Sequence, residues 1–76
     1  MPEDKDYNAL HKYAFRTAFE YLQENWPPVN SKDFFLVSAS KANKRYNESD
    51  GNKLARKLIL AVMEYLFDQA ESGEPV

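Results

Sequence analysis

Cysteine is absent from this 76-residue chain, and histidine occurs once, at position 11. No disulfide can staple the fold, and one imidazole without a thiolate partner leaves no structural zinc site. The lack of cysteine suits a reducing compartment without requiring one. Long apolar runs are missing as well. The longest, Leu58 to Met63, falls far short of the roughly 18 residues of a membrane-spanning helix. The opening Met1-Pro2-Glu3-Asp4 is acidic where the n-region of a signal peptide is basic. These absences lead us to expect a cytoplasmic protein with no metal, no cofactor and no membrane contact.

Nor is there an internal repeat, a low-complexity tract or a linker able to separate domains. Residues 1–76 are therefore expected to form a single helical domain with short frayed termini. A chain of this length buries only roughly 60% of the surface its unfolded form exposes. With no disulfide or metal to help, helix packing or self-association must supply the stability.

What is present divides cleanly at Pro27-Pro28 and at Asn47-Glu48-Ser49-Asp50-Gly51. The fold class expected is all-α, a compact three-helix bundle with helices at roughly 7–25, 31–46 and 52–71. In the first segment Tyr7, Leu10, Ala14, Ala18, Tyr21 and Leu22 recur at helical spacing, and Phe15, Phe19 and Trp26 widen the stripe. Glu3, Asp4 and Asp6 precede it, where a helix N-terminus favours negative charge and Asp6 can cap. The second segment opens on Ser31 as a candidate N-cap and places Phe35, Ala39, Ala42 and Tyr46 on one narrow face. Phe34 to Val37 could alternatively form a short strand, but no other segment offers it a pairing partner.

The third segment starts near Asp50 or Asn52, and Gly73 can stop it. At about 100° per residue, Leu54, Ala55, Leu58, Ile59, Ala61, Val62, Tyr65 and Leu66 form one broad face. Leu60, Met63 and Phe67 form a second. A helix apolar around most of its circumference is either central or covered on two sides by different partners.

Net charge is −2 and the isoelectric point about 5.3, which argues against a dedicated nucleic-acid binder. The distribution is uneven, however. Lys41, Lys44, Arg45, Lys53, Arg56 and Lys57 gather around the second connection, whereas residues 58–76 carry Glu64, Asp68, Glu71 and Glu74 and no basic side chain. An up-down-up bundle brings the basic group to one pole, where the orphan N–H groups of a helix start also attract phosphate. The ordinary alternative is a solvated charged end. A helix-turn-helix fits poorly, because the expected connection exceeds the usual ~3–4 residues and the second helix is long for that motif.

Catalysis finds little support. His11 has no nucleophile or paired acid near it in the pattern and reads as a core or boundary residue. Glu20/Glu24 and Glu64/Asp68 are spaced i, i+4, as on solvated helix faces. An EF-hand loop centred on Gly51 would need Tyr46 and Lys57 as ligands, which excludes it. Aromatic residues, by contrast, are plentiful, with five Tyr, five Phe and one Trp. So short a chain cannot bury all of them. Some serve either as partial cover for a thin core or as part of a partner surface, where such residues are enriched.

The leading expectation is therefore a small protein–protein interaction or assembly module, most simply a homodimer that self-associates through Leu60, Met63 and Phe67 of the third helix. That helix has basic residues at its start and acidic ones at its end, the reverse of what its dipole favours. An antiparallel copy would set Lys53 against Glu71 and Arg56 against Asp68. The alternative expectation is a weak accessory binder of nucleic acid or phosphate, with Arg45, Lys53, Arg56 and Lys57 as the anion contacts.

Overall fold

The computed structural model describes residues 7–73, which form three helices: α1 (Tyr7–Glu24), α2 (Lys32–Glu48) and α3 (Lys53–Ser72). The expected all-α, three-helix architecture is observed. Asp6, expected as a cap, and the termini expected to fray lie outside the described residues, apart from Ser72 and Gly73 at the end of α3.

Local chemistry accounts for most of the helix ends. After Glu24 the chain turns through Asn25 N–H to Leu22 O (3.2 Å) and Trp26 N–H to Gln23 O (3.4 Å). Pro27 and Pro28 then lack the N–H that a further helical turn requires; the Trp26–Pro27 peptide is cis. The Ser31 hydroxyl accepts the Phe34 N–H at 3.1 Å and starts α2. Phe34 to Val37 are thus the first turns of α2 and no strand. The helix continues to Glu48, two residues beyond expectation, because Ser49 N–H closes its last turn onto Arg45 O (3.0 Å) and Tyr46 O (3.2 Å).

Gly51, at φ +87, makes the left-handed turn that leads into α3. Asn52 then caps that helix by accepting the Ala55 N–H at 3.0 Å. The connection is only residues 49–52, shorter than expected, so loop length does not argue against a helix-turn-helix; the 17-residue length of α2 still does. Gly73, at φ +75, ends α3 and donates to Gln69 O.

The helices run up, down and up. Asn52 at the start of α3 donates its amide to Leu10 O of α1 at 2.9 Å, and at the other end Trp26 stacks on Tyr65, so α1 and α3 lie parallel. They make the most extensive contact in the molecule, α2 meets α3 less, and α1 and α2 touch least. Among the described residues, five of the eight buried apolar ones are alanine (Ala14, Ala18, Ala42, Ala55 and Ala70), so helices approach closely around a thin core. Tyr21, Ile59 and Leu66 supply its bulk, with Leu22, Phe34, Val62, Met63 and Phe67 packed against them.

Tyr21 is fully buried and donates its hydroxyl to Ser38 O at 2.9 Å, tying α1 to α2. Burial pushes its phenol up to about 12. Ser38, buried although sequence periodicity did not place it inside, satisfies its own hydroxyl by donating to Phe34 O at 2.7 Å.

Candidate interaction surface

Each helix of the α1/α3 pair has one side facing α2 and another turned away from it. On α1, Tyr13, Thr17, Glu20 and Glu24 meet α2 or its end through Ser49 and Arg45. Phe15 and Phe19 point the opposite way, roughly 140–180° around the helix from Thr17 and Glu24. Phe15 and Phe19 each follow a buried alanine, Ala14 and Ala18, by one residue, a step that rotates them out of the core; they are 60% and 58% exposed. The expectation that they widen the buried stripe is corrected here.

On α3 the same outer side carries Ala61, which is exposed, and Tyr65, which is 38% exposed, although both were expected on the broad core-facing surface. Trp26, 41% exposed, lies over the end of the pair with its ring nearly parallel to that of Tyr65, 7° between planes and 6.1 Å between centroids. Phe19, Leu22, Gln23, Trp26 and Tyr65 line a shallow hollow of about 480 Å³. The result is a strip of exposed aromatic side chains on the side of the two parallel helices turned away from α2.

The seam expected from sequence is divided differently. Phe67 meets Phe35 of α2 edge-on at 5.1 Å, and both Met63 and Phe67 pack against the core. The second apolar stripe of α3 is therefore largely where α2 sits. Leu60 alone of the three is exposed, at 42%; with Met63 and with Ala39, Ala42, Asn43 and Tyr46 of α2 it lines a groove of about 390 Å³.

The basic residues are also separated. Arg45 turns onto α1, donating to Glu24 and Thr17, each at 2.8 Å, and to Glu20 at 3.5 Å. The Arg45 hydrogen bond holds the Glu24 carboxyl below its ordinary value, and the same bond raises the guanidinium. Arg56 donates to Tyr46 O at 3.0 Å, lies 4.5 Å over the Tyr46 ring and reaches Asp50 at 3.4 Å. Lys53 and Lys57 remain exposed. Lys41, Lys44 and Arg45 share a hollow of about 190 Å³ with Glu24 and Glu48, so an incoming anion meets both signs there.

His11 is exposed, with its ring 6.4 Å from Tyr7, and is not the core or boundary residue expected. Asn52 at the start of α3 reaches α1 at Leu10 O, so His11 lies at the edge of the α1/α3 contact. No group of three or more His, Asp or Glu side chains among the described residues could hold a metal ion, and no described helix is long and apolar enough to cross a membrane. Comparison with family models, with curated proteins and with solved structures finds no match to this chain.

Proposed function

We propose that this chain is a small protein–protein interaction module that self-associates through apolar surface and carries out no catalysis, within a reducing compartment such as the cytoplasm. The observation that carries this reading is the outer strip of α1 and α3, where Phe15, Phe19, Trp26 and Tyr65 are all at least 38% exposed on one side. Four aromatic side chains exposed to that extent present roughly 400 Å² of ring surface. A strip of that size matches the largest apolar patch of a typical monomer, which is often functional. Burial of such surface is favourable at about 25 cal/mol per Å² and largely insensitive to salt.

Polyanion binding, the other expectation, draws less support. Two of its four residues, Arg45 and Arg56, are held by protein partners, which leaves Lys53 and Lys57 on an open helix face. The two readings differ in salt response. Light scattering on the eluting protein at tens of micromolar should give twice 8.9 kDa, unchanged between about 50 and 200 mM salt. A mass of 8.9 kDa at every concentration overturns self-association. Polyanion affinity that falls steeply over the same salt range would favour the other reading.

A further inference from the structure

We propose that a second copy of this chain covers the outer strip of α1 and α3, related by a twofold axis that lies in the interface and crosses the helices. The proposal rests on the self-association reading above and adds its location and orientation.

Location follows from what α2 leaves open. One side of the α1/α3 pair is occupied by α2 through Tyr21, Met63, Phe67 and Arg45. The other side bears Phe15 and Phe19 from α1, Trp26 from the turn that follows it, and Ala61 and Tyr65 from α3. Stable interfaces bury about 800 Å² on each partner. The aromatic rings alone offer roughly half of that, and Leu22, which lines the hollow beside Phe19, extends the strip. The groove containing Leu60 has less to give, because Met63 and Phe67 are already spent on α2.

Orientation follows from charge. Because α1 and α3 are parallel, their first halves share one end. Lys12 and Arg16 of α1 join Lys53 and Lys57 of α3 there, all exposed. At the other end of α3, Glu64, Asp68 and Glu71 are exposed. A twofold axis parallel to the helices would set like charge beside like. An axis across them packs α1 on α1 and α3 on α3, antiparallel, so that Lys57 of each copy faces Asp68 of the other and Lys53 faces Glu71. The same arrangement relieves the unfavourable order of charges along α3, basic at its N-terminus and acidic at its C-terminus. Every contact then occurs twice, as a closed twofold interface requires. The axis passes near Phe19, which lies midway along the strip, so the two Phe19 rings form the centre.

Sedimentation equilibrium of the full chain and three variants tests both parts, with circular dichroism confirming that each variant is helical. Phe19→Glu, at an exposed position of the single chain, should weaken the dimer about 30-fold or more, as loss of a central aromatic does. Leu60→Glu should leave it intact. Lys57→Glu should weaken it about five- to tenfold through two like-charge contacts, and adding Asp68→Lys to that variant should restore affinity. A dimer that survives Phe19→Glu, or that Leu60→Glu dissociates, overturns the location while leaving self-association standing. Failure of Asp68→Lys to restore affinity overturns the antiparallel orientation. A wild-type monomer overturns the inference and the self-association reading together.

Discussion

Tyr21 should make the stability of this fold fall in alkali in a way that a single substitution abolishes. Its side chain is fully buried, its hydroxyl is committed to Ser38 O at 2.9 Å, and its phenol is pushed up to about 12 by burial, against 10.0 in the unfolded chain. The group is neutral in both states at lower pH, so its contribution is fully present below about pH 10. Above that the unfolded chain releases the proton first, and stability declines as pH rises towards the folded value. Two pK units at about 1.4 kcal/mol each bound the loss at about 3 kcal/mol, of which about 2 kcal/mol is gone by pH 12. For a chain of this size, with roughly 4–11 kcal/mol in total, that is a large share.

Tyr21→Phe removes both the hydrogen bond and the ionisation. Near pH 8 it should be less stable than wild type by about 1 kcal/mol, the net worth of one buried hydrogen bond. Near pH 12 it should be more stable by about the same amount, so the two urea-unfolding curves cross between pH 10 and 12. Differences between wild type and variant cancel the titration of the other tyrosines and of the lysines, which both proteins share. Urea denaturation followed by circular dichroism at a series of pH values measures the crossing, and tyrosinate absorbance locates the ionisation. A difference that stays constant from about pH 9 to pH 12 would refute the argument.

Four further outcomes are expected. Arg45→Ala should cost about 1–2 kcal/mol, since it removes bonds to Thr17 and to half-exposed Glu24 and Glu20. Because the Glu24 carboxyl is held low in the folded state, its share of stability is present above the unfolded carboxylate range and is lost as pH falls through the folded value. That share, below about 1 kcal/mol for so exposed a group, should vanish from the acid limb of the Glu24→Gln unfolding profile. Asn52→Ala should cost about 2 kcal/mol in urea denaturation, one part for the cap on Ala55 and one for the bond to Leu10 O; Asn52→Asp should keep the cap and lose only the second part. Phe67→Ala should cost about 2–3 kcal/mol through lost packing on Phe35 and the core, whereas Leu60→Ala should stay within about 0.5 kcal/mol in the monomeric unfolding transition, and equal costs would show that the two sides of α3 are not distinguished as described.

The number, type and order of the helices were legible in the sequence because their determinants are local. Pro27-Pro28 removes donors, Ser31 caps the amide three residues ahead, and Gly73 adopts the left-handed conformation that closes α3. None of these depends on what the helix later packs against. The end of α2 was placed two residues early because its closing bonds come from the Ser49 backbone, which side-chain patterning does not reveal. What the sequence could not decide was which apolar stripe faces which neighbour. Periodicity gives an arc on each helix, yet the choice of α2 to occupy Met63 and Phe67, leaving Phe15, Phe19 and Tyr65 outside, depends on alanines at 14, 18, 42, 55 and 70 letting backbones approach. In so thin a core a small residue is a better contact than a large one, the reverse of the hydrophobicity ranking that sequence reading relies on. Arg45 shows the same limit, since its carboxylate partners lie 21 and 25 residues away and only the antiparallel packing of α2 on α1 brings them within hydrogen-bonding distance.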